Sequence, residues 1–334
     1  MTELLGSRLE REIREQPGVW RRLAASGQAP ELAAALRGRP IAFVGSGSSL
    51  FVAQLGALAL RRRGAAAVAL AATEVRFEAA AYRGRTVVAL SQSGRSQDVL
   101  DAVETLDPAT LIALTNDAGS PLAARAGKTF LFEAGVESAV PATKTVTAGV
   151  ALLLWAAGLP EGETSRNAAA LCRTAGAVED WLAAPGEALH EVARAVAPLR
   201  SLVFAGSGYG VPVARELALK IKEATYLHAE GFAAGEFRHG SAALLDAGTA
   251  LCGIVDEASR ALVRRPFEEA AFSGALRFTI GSGLDAGIPA LGPETGEAFD
   301  ALAWLVTGQR LALAIGRLRG VDGDAPRGLR KFLA

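Results

Sequence analysis

The sequence predicts an α/β protein made of two tandem, doubly wound parallel sheets, and three observations carry that expectation. Short β-rich apolar runs alternate with segments of helix length, as they do when parallel strands are joined by crossover helices. The stretches IAFVGSGSS (41–49) and LVFAGSGYG (202–210) each enter a Gly-Ser-Gly turn and then a helical pattern, at an offset of about 161 residues. A shift of that size also lays 86–90 over 248–252 and brings 111–115 near 276–280.

Taken in order, an opening amphipathic helix is expected over 4–25, interrupted at Pro17. In the first copy the strand 86–90 runs into the helix 97–106. The apolar run 148–158 is about 11 residues long, too short to span a bilayer. The segment 160–184 is polar with a helical pattern and lies between the copies, so the chain divides into 1–185 and 186–334. In the second copy 211–228 reads as helix, and 297–319 as a long amphipathic helix. Pro326 then introduces a basic tail, RGLRKFLA, of a kind that frays unless something holds it. Ligands of doubly wound sheets sit at the carboxyl ends of strands, so sites are expected just after Leu90 and after the two Gly-Ser-Gly turns.

The 334 residues, 50% of them hydrophobic and 21% charged, suffice for one large or two ordinary domains. Lys plus Arg and Asp plus Glu each number 35, so the basic surplus of a general nucleic-acid binder or polybasic anchor is missing. Neither nucleic acid nor a membrane is an expected partner. Cys172 and Cys252 form no disulfide framework and no C-x-x-C pair, and His190, His228 and His239 form no ligand pair. The N-terminus is charged and amphipathic instead of secretory, which with the cysteine usage points to the cytoplasm. A dinucleotide fingerprint would need a third glycine where Leu50 and Val211 stand. Gly127-Lys128-Thr129 has Leu122 where a P-loop needs glycine.

The turn SQSGRS (91–96) is more informative. The hydroxyls of Ser91, Ser93 and Ser96, the amide of Gln92 and the N–H groups of a helix start converge there, a donor set suited to a phosphate monoester. Ser49, at the analogous turn of the first strand, adds a donor. An ordinary serine-rich N-cap accounts for the same residues. The equivalent turn of the second copy, Asp256-Glu257-Ala258-Ser259, is acidic and repels phosphate, which favours a single phosphate site in the first copy. The second copy carries the ionisable groups. Glu216, Lys220 and Glu223 share one helix face at i, i+4 and i+7, which by spacing alone reads as a solvated, salt-bridged surface. His239, followed by Gly240 and preceded by Glu230 and Glu236, is a type of group that exchanges a proton near neutral pH, although a loop histidine is otherwise surface.

Together these residues resemble the sugar isomerase (SIS) family, in particular the isomerase half of glutamine–fructose-6-phosphate aminotransferase and its glutaminase-free deaminase relatives. The matching segments are VGSGSS (44–49), SQSGRSQD (91–98), LTNDAGSPLA (114–123), AGVESAVPATK (134–144), ARELALKIKEATYLHAEGFAAGEFRHG (214–240) and DAPRGLRK (324–331). The resemblance covers nearly the whole chain and implies two SIS domains, each a flavodoxin-like three-layer αβα sandwich.

Residue by residue, the resemblance implies that Ser49, Ser91, Gln92, Ser93 and Ser96 hold the sugar phosphate, with Val140 near the sugar. It implies that Glu223 moves the proton between C1 and C2, that His239 assists ring opening, and that Lys220 supports the site electrostatically. Lys331 matches a tail lysine that closes over the sugar and can form an imine with a keto sugar. In the aminotransferase the histidine comes from the neighbouring subunit, so a homodimer with shared sites is implied. The expected ligand is a small sugar phosphate, and no metal or organic cofactor is expected.

Thr2 follows Met1, and only about 40 residues precede the first strand, so no glutaminase domain with its nucleophilic cysteine is expected. The expected activity is therefore release of ammonia from an aminosugar phosphate, glucosamine 6-phosphate giving fructose 6-phosphate. A plain phosphosugar isomerase and a fructosamine-6-phosphate deglycase would use the same groups. A non-catalytic sugar-phosphate sensor would need an attached DNA-binding domain or would lack Glu223, His239 and Lys331.

Overall fold

A computed structural model of the protein describes residues 4–158, 162–293, 295 and 298–331. Its strands are β1 Ile41–Gly45, β2 Ala67–Ala71, β3 Thr86–Leu90, β4 Thr110–Thr115, β5 Lys128–Leu131, β6 Ser201–Gly206, β7 His228–Ala233, β8 Thr249–Val255, β9 Leu276–Gly281 and β10 Ala290–Leu291. They form two five-stranded sheets, β2-β1-β3-β4-β5 and β10-β9-β8-β6-β7, parallel throughout. The second order repeats the first, so the internal repeat is one topology used twice. β1, β3 and β8 are buried along their whole length, as strands covered on both faces must be.

The chain packs as two units. One contains 16–137 and 144–175 and is built on the first sheet. Its helix Ser48–Arg62 lies against β1, β2 and the helix Lys144–Leu153. Gly56 permits that approach, since a Cβ there would stand 2.8 Å from Leu153 Cδ1 and 3.3 Å from the Phe43 ring. On another part of its core Val44, Val87, Ala89, Val99, Leu106 and Leu122 cluster.

The other unit contains 4–15, 138–143 and 176–331 and is built on the second sheet. Its central helix, Gly210–Thr225, packs on β6, β7 and the helix Asp300–Leu318. At Gly231 the strand and helix backbones come so close that a Cβ would stand 2.5 Å from the Ala214 carbonyl carbon. Val203, Leu251, Val263, Phe267 and Phe237 form part of this core.

The opening helix is observed as Ser7–Ser26 and runs through Pro17, where an interruption was expected. Tertiary anchors on both sides outweigh the N–H that proline lacks. Before it, the buried Glu12 carboxylate accepts from Ser138 N (2.5 Å) and Ser138 Oγ (3.0 Å). After it, the fully buried Trp20 donates its indole N–H to Thr147 Oγ1 (3.2 Å). The strand expected at 248–252 begins at Thr249, and the one expected at 276–280 is β9. The helix expected over 160–184 is Thr164–Ala183, with Pro160 outside the described residues. The helix expected over 297–319 is Asp300–Leu318, with Glu297 likewise outside them. The tail is held as far as it is described: Asp324 accepts from Leu9 N (2.7 Å) and Arg8 N (3.0 Å), and Asp322 from Gly6 N (3.0 Å). No helix among the described residues is long and apolar enough to cross a membrane.

Candidate active site

In the first sheet the chain leaves β1 for β2 on one side and continues from β3 to β5 on the other, so β1 and β3 flank the topological switch point. Their register, Val44 beside Ala89, brings Gly45 and Leu90 to the same edge. The two serine turns that follow therefore start side by side at the carboxyl ends of adjacent strands, where doubly wound sheets bind ligands.

The turn after β3 is tightly built. Ser91 N donates to Leu114 O (3.1 Å), and Gln92 O accepts from Asn116 N (2.9 Å) and Thr115 Oγ1 (3.2 Å). Gly94 adopts φ 62°, and a Cβ there would collide with the Ser120 hydroxyl. Ser93 Oγ accepts from Arg95 N (3.2 Å), and Arg95 is tied to Asp117 at 3.0 Å. Ser96 occupies the N-cap position of the helix Gln97–Leu106, yet its side chain makes no capping bond, unlike Ser120, which caps its helix through Ala123 N. Among the described residues the Ser91, Ser96 and Ser49 hydroxyls and the Gln92 amide have no hydrogen-bond partner. These are donors left over after the turn has satisfied its own backbone.

Ser49 lies in the first turn of the helix Ser48–Arg62, its N–H on Ser46 O (3.1 Å). Sequence reasoning missed Ser46, whose Oγ is buried without a partner at the end of β1. Its place as the first residue after an apolar strand at the switch point was the signal available.

The same positions in the second sheet differ. After β8, Ser259 N donates to Asp256 Oδ1 (2.6 Å) while Asp256 N donates to Ser259 Oγ (3.0 Å). This reciprocal pair fills the donors that a phosphate would use, and its carboxylate repels an anion.

The second unit holds the charged cluster. Lys220 Nζ lies 3.6 Å from Glu216 Oε1 and in direct ion-pair contact with Glu223 Oε2. The side chains of Lys220 and Glu216 are 3% and 2% exposed and that of Glu223 18%, so the solvated face read from spacing is corrected to a buried one. The cause is tertiary packing around this helix, which an i, i+4 spacing does not reveal. A lysine lying between two carboxylates keeps the buried cation next to its counter-charges.

His239 stands on an exposed loop, its N–H on Glu236 O (3.2 Å), and among the described residues its ring has no hydrogen-bond partner. Lys331 Nζ donates to Ala139 O (2.7 Å), and Val140 N donates to Asp324 O (3.0 Å). The structure thus gathers Ser49, Ser91, Gln92, Ser93 and Ser96 at one sheet edge in the first unit. In the second it pairs Lys220 with Glu223 and joins the tail carrying Lys331 to the segment 139–140. Among the described residues no three His, Cys, Asp or Glu side chains gather as a metal-holding group.

The family pattern of the SIS domain matches residues 37–158 and 196–264, and the chain belongs to that family. It is 32% identical over 275 residues to a glutamine–fructose-6-phosphate aminotransferase of Methanothermobacter thermautotrophicus, covering 78% of this chain and 45% of that protein. The chain spans about half the length of the curated relatives it matches. Two solved structures share the fold. The C-terminal domain of glucosamine-fructose-6-phosphate aminotransferase from Francisella tularensis superposes with TM-score 0.82 at 23% identity, covering 96% of this chain and 98% of that one. Glucosamine-6-phosphate deaminase from Thermotoga maritima superposes with TM-score 0.78 at 23% identity, covering 98% and 99%.

Proposed function

We propose that this chain is a phosphosugar isomerase acting on an aminosugar 6-phosphate, converting glucosamine 6-phosphate to fructose 6-phosphate and ammonia. The observation that carries the reading is the switch point of the first sheet, where unpartnered hydroxyls, an amide and a helix start meet at adjacent strand ends. Neutral donors of this kind stabilise a phosphate dianion. The identity to an aminotransferase over 78% of the chain supports an amino sugar as substrate.

In this reading Ser49, Ser91, Gln92, Ser93 and Ser96 hold the phosphate, which supplies binding energy and orientation without reacting. Val140 lies beside the sugar. His239 gives a proton to the ring oxygen and takes up the one that the 1-hydroxyl loses as the ring opens to the aldehyde. Glu223 takes the proton from C2, giving an enolamine, and returns it to C1. The resulting ketose imine takes up water at C2 and releases ammonia. Lys220 supports the site electrostatically beside Glu223, and Lys331 closes the tail over the sugar. The protein works as a homodimer in the cytoplasm, with His239 supplied by the neighbouring subunit.

The experiment is to incubate the purified protein with a panel of aminosugar and plain sugar 6-phosphates and to measure ammonia and ketose phosphate together. Ammonia and fructose 6-phosphate in equal amounts from glucosamine 6-phosphate are expected. Efficient isomerisation of unaminated sugars without ammonia would make it a plain isomerase. Turnover confined to fructosamine 6-phosphates would make it a deglycase, and tight binding without turnover a sensor. Mixing inactive Glu223→Gln and His239→Ala proteins should restore part of the activity through mixed dimers. No recovery, with subunit exchange verified, would assign each site to one chain.

A further inference from the structure

Two cavities open on the second unit, away from its strand-end turns. One of about 430 Å³ is lined by Arg14, His190, Arg194, Arg310 and Arg317, with Glu10 as its one carboxylate among the described residues. The other, of about 700 Å³, is lined by Arg194, Tyr226, Arg319 and Arg327 and by no described carboxylate. Arg194 and Leu318 belong to both walls, so the two cavities adjoin at these residues and are taken together as one groove. In a chain whose charges balance, this is a concentrated cationic surface.

Structural duties account for part of it. Arg310 donates to the carbonyls of Trp181 (3.0 Å) and Ala184 (2.9 Å), and Arg14 to that of Leu182 (3.2 Å). Arg319 donates to Thr225 O (2.9 Å) and Ala197 O (2.6 Å). These guanidinium groups satisfy carbonyls at or just beyond helix C-termini. Glu10 is shared by Arg14 (3.2 Å) and Arg317 (2.7 Å). What remains has no such duty. Among the described residues the Arg194 guanidinium and the His190 ring, one helical turn apart, have neither hydrogen bond nor ion pair. Among the described residues the Arg327 guanidinium meets only the Tyr226 ring, 4.3 Å from its centroid. Burial, and after it the charge of Arg14, hold Arg310 below the ordinary guanidinium range, with Glu10 opposing.

We propose that this groove binds a small phosphate compound with at least two anionic groups, such as a diphosphate, with Arg194 as the anchor common to both cavities, His190 on one side and Arg327 on the other. Guanidinium forks match phosphate oxygens in pairs, and the volume suits a small ligand. Unpaired cations on both sides of Arg194 are what a second anionic group would engage. The site owes nothing to the sugar-site reading.

The test is calorimetric titration of the full chain with pyrophosphate, in wild type, in Arg194→Ala/Arg327→Ala and in Ser93→Ala/Ser96→Ala. The serine variant should keep one pyrophosphate per chain at wild-type affinity. The arginine variant should lose about tenfold or more in affinity, with little change in melting temperature, because neither guanidinium gives up a hydrogen bond within the chain. Absence of binding to wild type, or unchanged binding in the arginine variant, overturns the proposal. So does binding lost only in the serine variant, which assigns the anion to the turn after β3.

Discussion

Lys220 and Glu223 pair their charges one turn apart on the helix Gly210–Thr225, with 3% of the lysine side chain and 18% of the glutamate side chain open to solvent. The cation is sealed in while its carboxylate partner keeps an accessible edge, the disposition that a proton-transferring carboxylate needs. Lys220→Met would leave the carboxylates of Glu216 and Glu223 without their counterion. The expected loss is about 3–5 kcal/mol of stability in denaturant unfolding at neutral pH, because breaking a buried pair strands its charge. Adding Glu216→Gln should recover part of it. Glu223→Gln should retain most of the stability and, on the proposed function, lower kcat by orders of magnitude with a smaller change in KM, since in that reaction the lost group acts in the transition state.

The turn after β3 offers a backbone test. Gly94 has φ 62° and no room for a Cβ beside Ser120, so Gly94→Ala must distort the turn on both counts. KM for a sugar phosphate should rise at least as much as in Ser93→Ala/Ser96→Ala. The serine pair is expected to cost one or two orders of magnitude, at roughly 1–3 kcal/mol for each charged hydrogen bond lost. An unchanged KM in the serine variant would remove the phosphate from this turn.

The repeat, the parallel order and the serine turns were legible because each rests on local pattern: apolar runs of strand length, glycine at sharp turns, hydroxyls at a helix start. Spacing could not show that the Glu216–Lys220–Glu223 row is buried, because an i, i+4 charge row is the same on a wet face and a covered one. The burial comes from tertiary packing, and two of the elements packed on the helix Gly210–Thr225, β7 and the helix Asp300–Leu318, come from later in the chain. Pro17 failed to break its helix for a similar reason, since Glu12 and Trp20 are anchored by residues more than a hundred positions away. Ser46 escaped notice because a buried, unpartnered hydroxyl has no sequence signature beyond its place after a strand.

The tail is coupled to the start of the chain through Asp324, whose carboxylate takes the N–H groups of Arg8 and Leu9 in the first turn of the helix Ser7–Ser26. It works as an N-cap supplied from the far end of the sequence, with the charge favoured at that helix end. Asp324→Ala should therefore cost about 1–3 kcal/mol. It should also loosen Val140, whose N–H is on Asp324 O. Hydrogen exchange should show faster amide exchange at Leu9 and Val140 together, whereas an effect confined to the tail would separate the two.

Glu10 gives a pH signature. Burial raises its carboxyl pKa, but the hydrogen bonds and charges of Arg317 and Arg14 outweigh burial and hold it below the ordinary carboxylate value. A carboxyl with a depressed folded-state value stabilises the fold above its unfolded-state value and loses that contribution as pH falls through the folded one. Glu10→Gln should thus cost about 0.5–1 kcal/mol at neutral pH, the range of partly exposed ion pairs, and nothing measurable once the pH is below the depressed value. High salt should shrink the neutral-pH difference by screening. Melting curves of the two proteins from neutral pH into acid provide the measurement. A difference that grows on acidification would mean that the arginines do not stabilise the ionised form.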